Sequence, residues 1–347
     1  MHALQFLSIL AATSAVFAQG DADALTGLVT ALEGLGLSGL AGAAASVAET
    51  EGGLALLQGL ISGANYTIFA PNNEAFEAVP NSVSSNATLL ASILSYHVLP
   101  GNYDGVSSDF PSVTVVRTLL NETSGLVDLE GDRNQVVAWA TIDGTPTILN
   151  QGNGTAVTVT NSTTFQNLVI NQIDGVLLPP PALTEVLGDS SLNLSALAGV
   201  VGDLNEANVE NSPFAPGPAL KGFTLFAPNS EAFEAAADVV AGLDTTQVAN
   251  VLRNHLLNGT TVYSPQVAVD DAPEVITSGG QMMSFTTNST GVFVTVGEGE
   301  GSSTARIVRS DVLVENGVIH VIDGVLAVAD NDEQAAEEAY VDHLCFS

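Results

Sequence analysis

Thr67-Ile68-Phe69-Ala70-Pro71-Asn72-Asn73-Glu74-Ala75-Phe76-Glu77 returns 157 residues later as Thr224-Leu225-Phe226-Ala227-Pro228-Asn229-Ser230-Glu231-Ala232-Phe233-Glu234. In each copy a β-prone run meets a proline whose fixed φ turns the chain. An Asn or Ser then stands where it can cap the helix that follows, and two glutamates fall in that helix's positive first turn. The stretch therefore reads as strand, turn and helix, twice.

Two more segments repeat in the same order. Tyr96-His97-Val98-Leu99-Pro100-Gly101 matches Asn254-His255-Leu256-Leu257-Asn258-Gly259 at a spacing of 158, and Ile173-Asp174-Gly175-Val176-Leu177 matches Ile322-Asp323-Gly324-Val325-Leu326 at 149. Three segments at nearly one spacing imply a duplicated domain of roughly 150 residues, an ordinary size for an independent fold. Pro179-Pro180-Pro181 can continue neither a helix nor a central strand and marks the boundary. The expected organisation is a signal peptide at 1–18, one domain at 19–180, a second at 181–330, and a solvated acidic tail at 331–347. Ser212-Pro213-Phe214-Ala215-Pro216-Gly217-Pro218 reads as a surface loop inserted in the second copy.

Leu90, Ile93, Leu94, His97 and Val98 keep helical spacing, as do Val248, Val251, Leu252, His255 and Leu256, so each histidine falls on an apolar stripe. A buried ring bonded to backbone groups is favoured over a ligand or base, because no cysteine or second histidine stands at ligand spacing. Near the end, Asp311–Val314 and Val318–Ile322 flank a turn containing Asn316-Gly317, which predicts a β-hairpin. His320 alternates with Ile319 and Val321, which predicts a polar-facing ring.

The residues from Leu4 to Ala18 are almost wholly apolar and end in Val16-Phe17-Ala18, the pattern of a secretory signal. No second apolar run of about 20 residues follows, so no transmembrane span is predicted. The tail lacks the apolar stretch of ~10 to 20 residues that a lipid anchor needs. Eight Asn-X-Ser/Thr acceptors agree with export: Asn65, Asn86, Asn121, Asn153, Asn161, Asn193, Asn258 and Asn288. Cys345 is the only cysteine, which excludes an intramolecular disulfide and leaves stability to packed cores.

Six cations face 38 carboxylates, a formal net charge of −32. Nucleic acid is excluded as a partner for want of a basic patch, and anionic membrane surfaces are disfavoured. Mutual repulsion among the carboxylates predicts a protein more heat-stable near pH 5 than near pH 8 at low salt.

Together the Phe-Ala-Pro box, the Tyr-His helix end and the closing Asn-Gly-Val-Ile-His-Val-Ile-Asp box resemble the fasciclin-like domain family, over about residues 21 to 330. The resemblance implies an α+β fold in each copy, a wedge of β-strands packed against a cluster of helices. It also implies an extracellular role in adhesion. Some animal members use an Asp-Ile pair before the closing box for integrin contact; the matching pair here is Asp311-Val312, against Ser162-Thr163 in the first copy, and there is no Arg-Gly-Asp. Asp311 and Val312, with Tyr96 and His97 of the Tyr-His element, are the candidate partner contacts.

No metalloprotease HExxH, Cys-X-X-Cys, G-x-S-x-G elbow or phosphate loop occurs. Gly297-Glu298-Gly299-Glu300-Gly301 and Asp330-Asn331-Asp332-Glu333 lack the alternating ligands of a calcium loop. The expectation is a non-enzymatic protein with no cofactor or metal. It would be secreted to the exterior or cell wall, or else to the vacuole lumen, and would bind a cell-surface, matrix or wall protein or polysaccharide. A small-molecule or glycan binding module with a pocket near His97 or His255 is the alternative. A histidine-dependent hydrolase would need a Ser or Asp beside His255 or His320 in an open cleft.

Overall fold

The computed structural model describes residues 19–149, 156–207, 214, 220–269 and 272–346. The signal segment, Asn153 and most of the Pro-rich insert lie outside them, as does the side chain of Cys345. The chain forms two compact units. The first holds the described residues up to Leu126 and Asn134–Pro179; the second holds Val127–Arg133 and everything from Pro180 onward.

The first unit opens with three helices, Gln19–Gly34, Ser38–Val47 and Glu51–Ile61. Then come β1 (Tyr66–Pro71), short helices at Asn73–Glu77 and Asn81–Ser84, the helix Ala87–Tyr96, β2 (Val98–Pro100) and β3 (Thr114–Arg117). The strands β4 (Val136–Ile142), β5 (Thr145–Ile148), β6 (Val157–Phe165) and β7 (Leu168–Ile173) close it. The sheet runs β2-β1-β7-β6-β5-β4-β3. Leu28, Leu40, Val47, Leu57, Leu90 and Leu94 from the helices share one buried core with Ile68, Ala70 and Ile170 from the strands.

The second unit repeats this with helices at Leu183–Leu187 and Ser195–Glu206, β8 (Phe223–Pro228), helices at Ser230–Ala235, Ala237–Ala241 and Thr245–Asn254, and β9 (Leu256–Asn258). After the short helix Ser264–Val267 come β10 (Val275–Ile276), β11 (Met282–Asn288), β12 (Gly291–Val296), β13 (Ser303–Val314) and β14 (Gly317–Ile322). Its sheet order, β10-β11-β12-β13-β14-β8-β9, matches the first strand for strand.

This topology explains why three segments repeat. The Phe-Ala-Pro strand lies parallel to the closing-box strand, with Ile68 opposite Ile170 in one unit and Leu225 opposite Ile319 in the other. On its other edge it pairs antiparallel with the short strand after the histidine helix. The remaining neighbours in both sheets are antiparallel. The repeated motifs are thus adjacent pieces of one β-scaffold.

Three local expectations need correction. The histidine helices stop at Tyr96 and Asn254, so Val98 and Leu256 belong to strands rather than to the helical stripe. The closing hairpin turns on Glu315-Asn316, and Gly317 already pairs with Val314; a Cβ there would lie 2.6 Å from the Phe223 carbonyl oxygen, which requires glycine. His320 is fully buried, because β14 is covered on both faces. Within the acidic tail, Glu333–Phe346 form a helix, and most of its described side chains are exposed.

Candidate functional site

The helix-end histidines do the same work in both units. His97 donates from Nδ1 to the Ile93 carbonyl at 2.8 Å and accepts the Leu177 N–H on Nε2 at 2.9 Å. His255 donates to the Val251 carbonyl at 2.7 Å and accepts the Leu326 N–H at 2.9 Å. Their own carbonyls accept from the N–H groups of Phe69 and Phe226, both at 2.9 Å. Each histidine therefore ties the end of its helix to the Phe-Ala-Pro strand and to the leucine that follows the closing box. Burial disfavours the charged ring and pushes both pKa values down to about 4, against which the helix carbonyl gives partial support. With both nitrogens occupied, neither ring is available as a base or ligand.

The residue before each histidine differs for a structural reason. Tyr96 is fully buried and its hydroxyl donates to the Val136 carbonyl at 3.0 Å. Asn254 instead donates from Nδ2 to the carbonyls of Val328 and Asp330, at 2.8 and 2.9 Å, and accepts from the Thr277 hydroxyl at 2.7 Å. The first unit thus anchors β4 at this point, whereas the second anchors the chain that leads to its final helix.

Asp311 occupies a bulge present in only one copy. Between pairings at the same closing-box positions, β6 spends three residues (160–162) from Val159 to Thr163, while β13 spends four (308–311) from Ile307 to Val312. Asp311 takes φ 57°, a left-handed conformation strained for any residue with a Cβ. Its carboxylate accepts the Ser264 N–H at 2.8 Å and the Ser264 hydroxyl, and its own N–H reaches His320 Nδ1 at 3.4 Å. His320 Nε2 donates to the Val262 carbonyl at 2.8 Å, and the ring stacks on Phe226 with centroids 5.3 Å apart. An aspartate does lie beside His320, but inside the core: both residues are 0% exposed.

All four candidate partner contacts are thereby buried: Asp311, Tyr96, His97 at 1% and Val312 at 5% exposure. A partner could reach them only if the closing hairpin or the helix end opened. Of the acceptor asparagines, Asn65, Asn86, Asn121, Asn161, Asn193 and Asn288 are exposed, while Asn258, on β9, is half-buried. Among the described residues no group of three His, Cys, Asp or Glu is placed to hold a metal ion, and no helix is long and apolar enough to cross a membrane.

Sequence reasoning missed Glu130. It is 3% exposed within the second unit, where its carboxylate accepts from the N–H and hydroxyl of Thr261 at 3.2 and 2.7 Å. Its position in an unrepeated stretch gave no signal.

The fasciclin domain model matches residues 44–179 and 194–328. A fasciclin-like arabinogalactan protein of Arthroderma benhamiae is 27% identical over 270 residues, 76% of this chain and 58% of that protein. The fasciclin-like arabinogalactan protein elcF of Phaeosphaeria nodorum is 28% identical over 296 residues, 81% of this chain and 83% of that one. The chain therefore spans little more than half of the first relative's length and most of the second's. A solved FAS1 domain pair from the insect cell adhesion molecule fasciclin I aligns over 84% of this chain and 96% of that one, at 16% identity and a TM-score of 0.35. With two domain matches that together span well over half of its length, the chain belongs to the fasciclin-domain family.

Proposed function

We propose that this protein is a secreted, glycosylated, non-enzymatic adhesion or matrix protein that contacts a cell-surface or wall component through the surfaces of its two fasciclin domains. One observation carries the reading. The most distinctive repeated side chains, His97 and His255, are spent inside the fold on backbone bonds, while six acceptor asparagines stand exposed. The chemistry offered outward is that of a glycoprotein surface. The names of the relatives, fasciclin-like arabinogalactan proteins, agree with an exterior or wall location.

The test is capture of the purified native and enzymatically deglycosylated protein on arrays of wall polysaccharides and matrix proteins. The reading predicts saturable binding that changes when the glycans are removed. Binding no better than that of an unrelated acidic glycoprotein contradicts it.

A further inference from the structure

The helix Glu333–Phe346 leaves a cavity of about 350 Å³ against the body of the second unit. That volume suits a small organic molecule. The approach to the helix is fixed by the two Asn254 bonds and by the Asp332 N–H, which donates to the Gly279 carbonyl at 2.8 Å. The lining is chemically sorted. Leu220 and Ile276, both half-buried, supply an apolar side, Arg253 is a half-buried cation, and Glu333 and Glu337 stand exposed at the rim.

Charge placement narrows the ligand. Arg253 makes no ion pair among the described residues although two glutamates share its cavity, so charges of opposite sign are held apart. Glu333 and Glu337 lie four residues apart on one helix, a like-charge spacing that is unfavourable unless a cation stands between them. Ser278, also in the lining, has a buried hydroxyl oxygen with no hydrogen-bond partner. A purely anionic ligand would meet both glutamates, and a purely cationic one would meet Arg253.

We propose that this cavity binds a zwitterionic small molecule with an aliphatic side, of the class of a free apolar amino acid. Its carboxylate pairs with Arg253, its ammonium bridges Glu333 and Glu337, and its side chain packs on Leu220 and Ile276. This site is separate from the six exposed acceptors, Asn258 alone of the described acceptors lining it, and either proposal can fail without the other.

Titration calorimetry on the full chain tests it, with L-leucine, leucinamide, N-acetyl-leucine and galactose as probes. The proposal predicts that leucine binds and that leucinamide and N-acetyl-leucine, each lacking one charge, bind at least about ten-fold more weakly. Arg253→Gln should weaken leucine by a similar factor, and Ala339→Trp, which fills the cavity from the helix side, should abolish binding while the melting temperature stays within a few degrees of the parent. Leucine failing to bind, equal binding of either analogue, a preference for galactose, or leucine affinity unchanged by Arg253→Gln each overturns the proposal.

Discussion

The Leu326 N–H donates to His255 Nε2 at 2.9 Å, and the Leu177 N–H makes the same bond to His97 at the same length. Each bond joins the end of a helix to the chain just past a closing strand, some 70 to 80 residues on. Truncating either histidine strands a buried donor. His255→Ala or His97→Ala should therefore lower unfolding free energy by about 2–4 kcal/mol, combining a lost buried bond with a cavity. Denaturant midpoints of the single variants check this.

These rings also set the pH response. Their folded pKa values lie near 4 against 6.5 for a free imidazole, so the unfolded chain takes up protons first as pH falls. Their contribution is complete above about pH 6.5 and is lost toward pH 4, at roughly 3 kcal/mol per histidine. That opposes the rise in stability on acidification expected from net charge alone. Charge repulsion is screened by salt, whereas the burial of a ring is not. In about 0.15 M salt, where repulsion is screened, the melting temperature should fall between pH 7 and pH 5, and lowering the salt should move this change toward the rise that net charge alone predicts. A His97→Ala variant should show a shallower fall than the parent. Thermal scans across pH at two ionic strengths measure both.

Asp311 distinguishes a contact residue from a scaffold residue. Asp311→Ala should cost about 2–3 kcal/mol by leaving Ser264 unpartnered while keeping the φ strain, and Asp311→Gly should cost less because the strain is relieved. A partner-binding role would show the opposite pattern: melting unchanged and partner capture lost. Thermal melts and array binding on the same samples separate the two.

The C-terminal helix is held through close backbone packing. At Gly280, φ is 76° and a Cβ would lie 2.0 Å from the Asp332 carbonyl oxygen. Gly280→Ala should release the segment from Asp332 to Tyr340 without unfolding the sheet. Hydrogen exchange by mass spectrometry should show faster uptake there and unchanged uptake in β8 and β14.

Glycan occupancy should follow exposure. Asn258 lines the cavity beside Tyr340, whose ring lies within 2.9 Å of where a Gly259 Cβ would stand. Glycopeptide mass spectrometry should find Asn258 the least occupied of the seven described acceptors, with the six exposed ones more fully modified.

Much of this architecture was readable because duplication made the chain its own comparison. The strand-turn-helix of Thr67–Glu77, the caps at Asn72 and Asn229, and the buried histidines all follow from local chemistry seen twice. What stayed hidden depended on partners distant in sequence. Asp311 reads as a candidate partner contact because nothing local reveals Ser264, 47 residues earlier, or the extra residue that bulges β13. His320 followed the alternation rule onto a face that is polar only when a sheet is covered on one side. The final helix was masked by its acidity, and its anchor, Asn254, read only as a departure from Tyr96.

The central claim is that the repeated histidines serve as internal fasteners, and exchange of the amide protons that they hold tests it most directly. Near pH 7, native-state NMR exchange should show the Leu177 and Leu326 amides among the slowest in the chain, opening only with global unfolding. Exchange of either at rates typical of a surface loop would contradict the account.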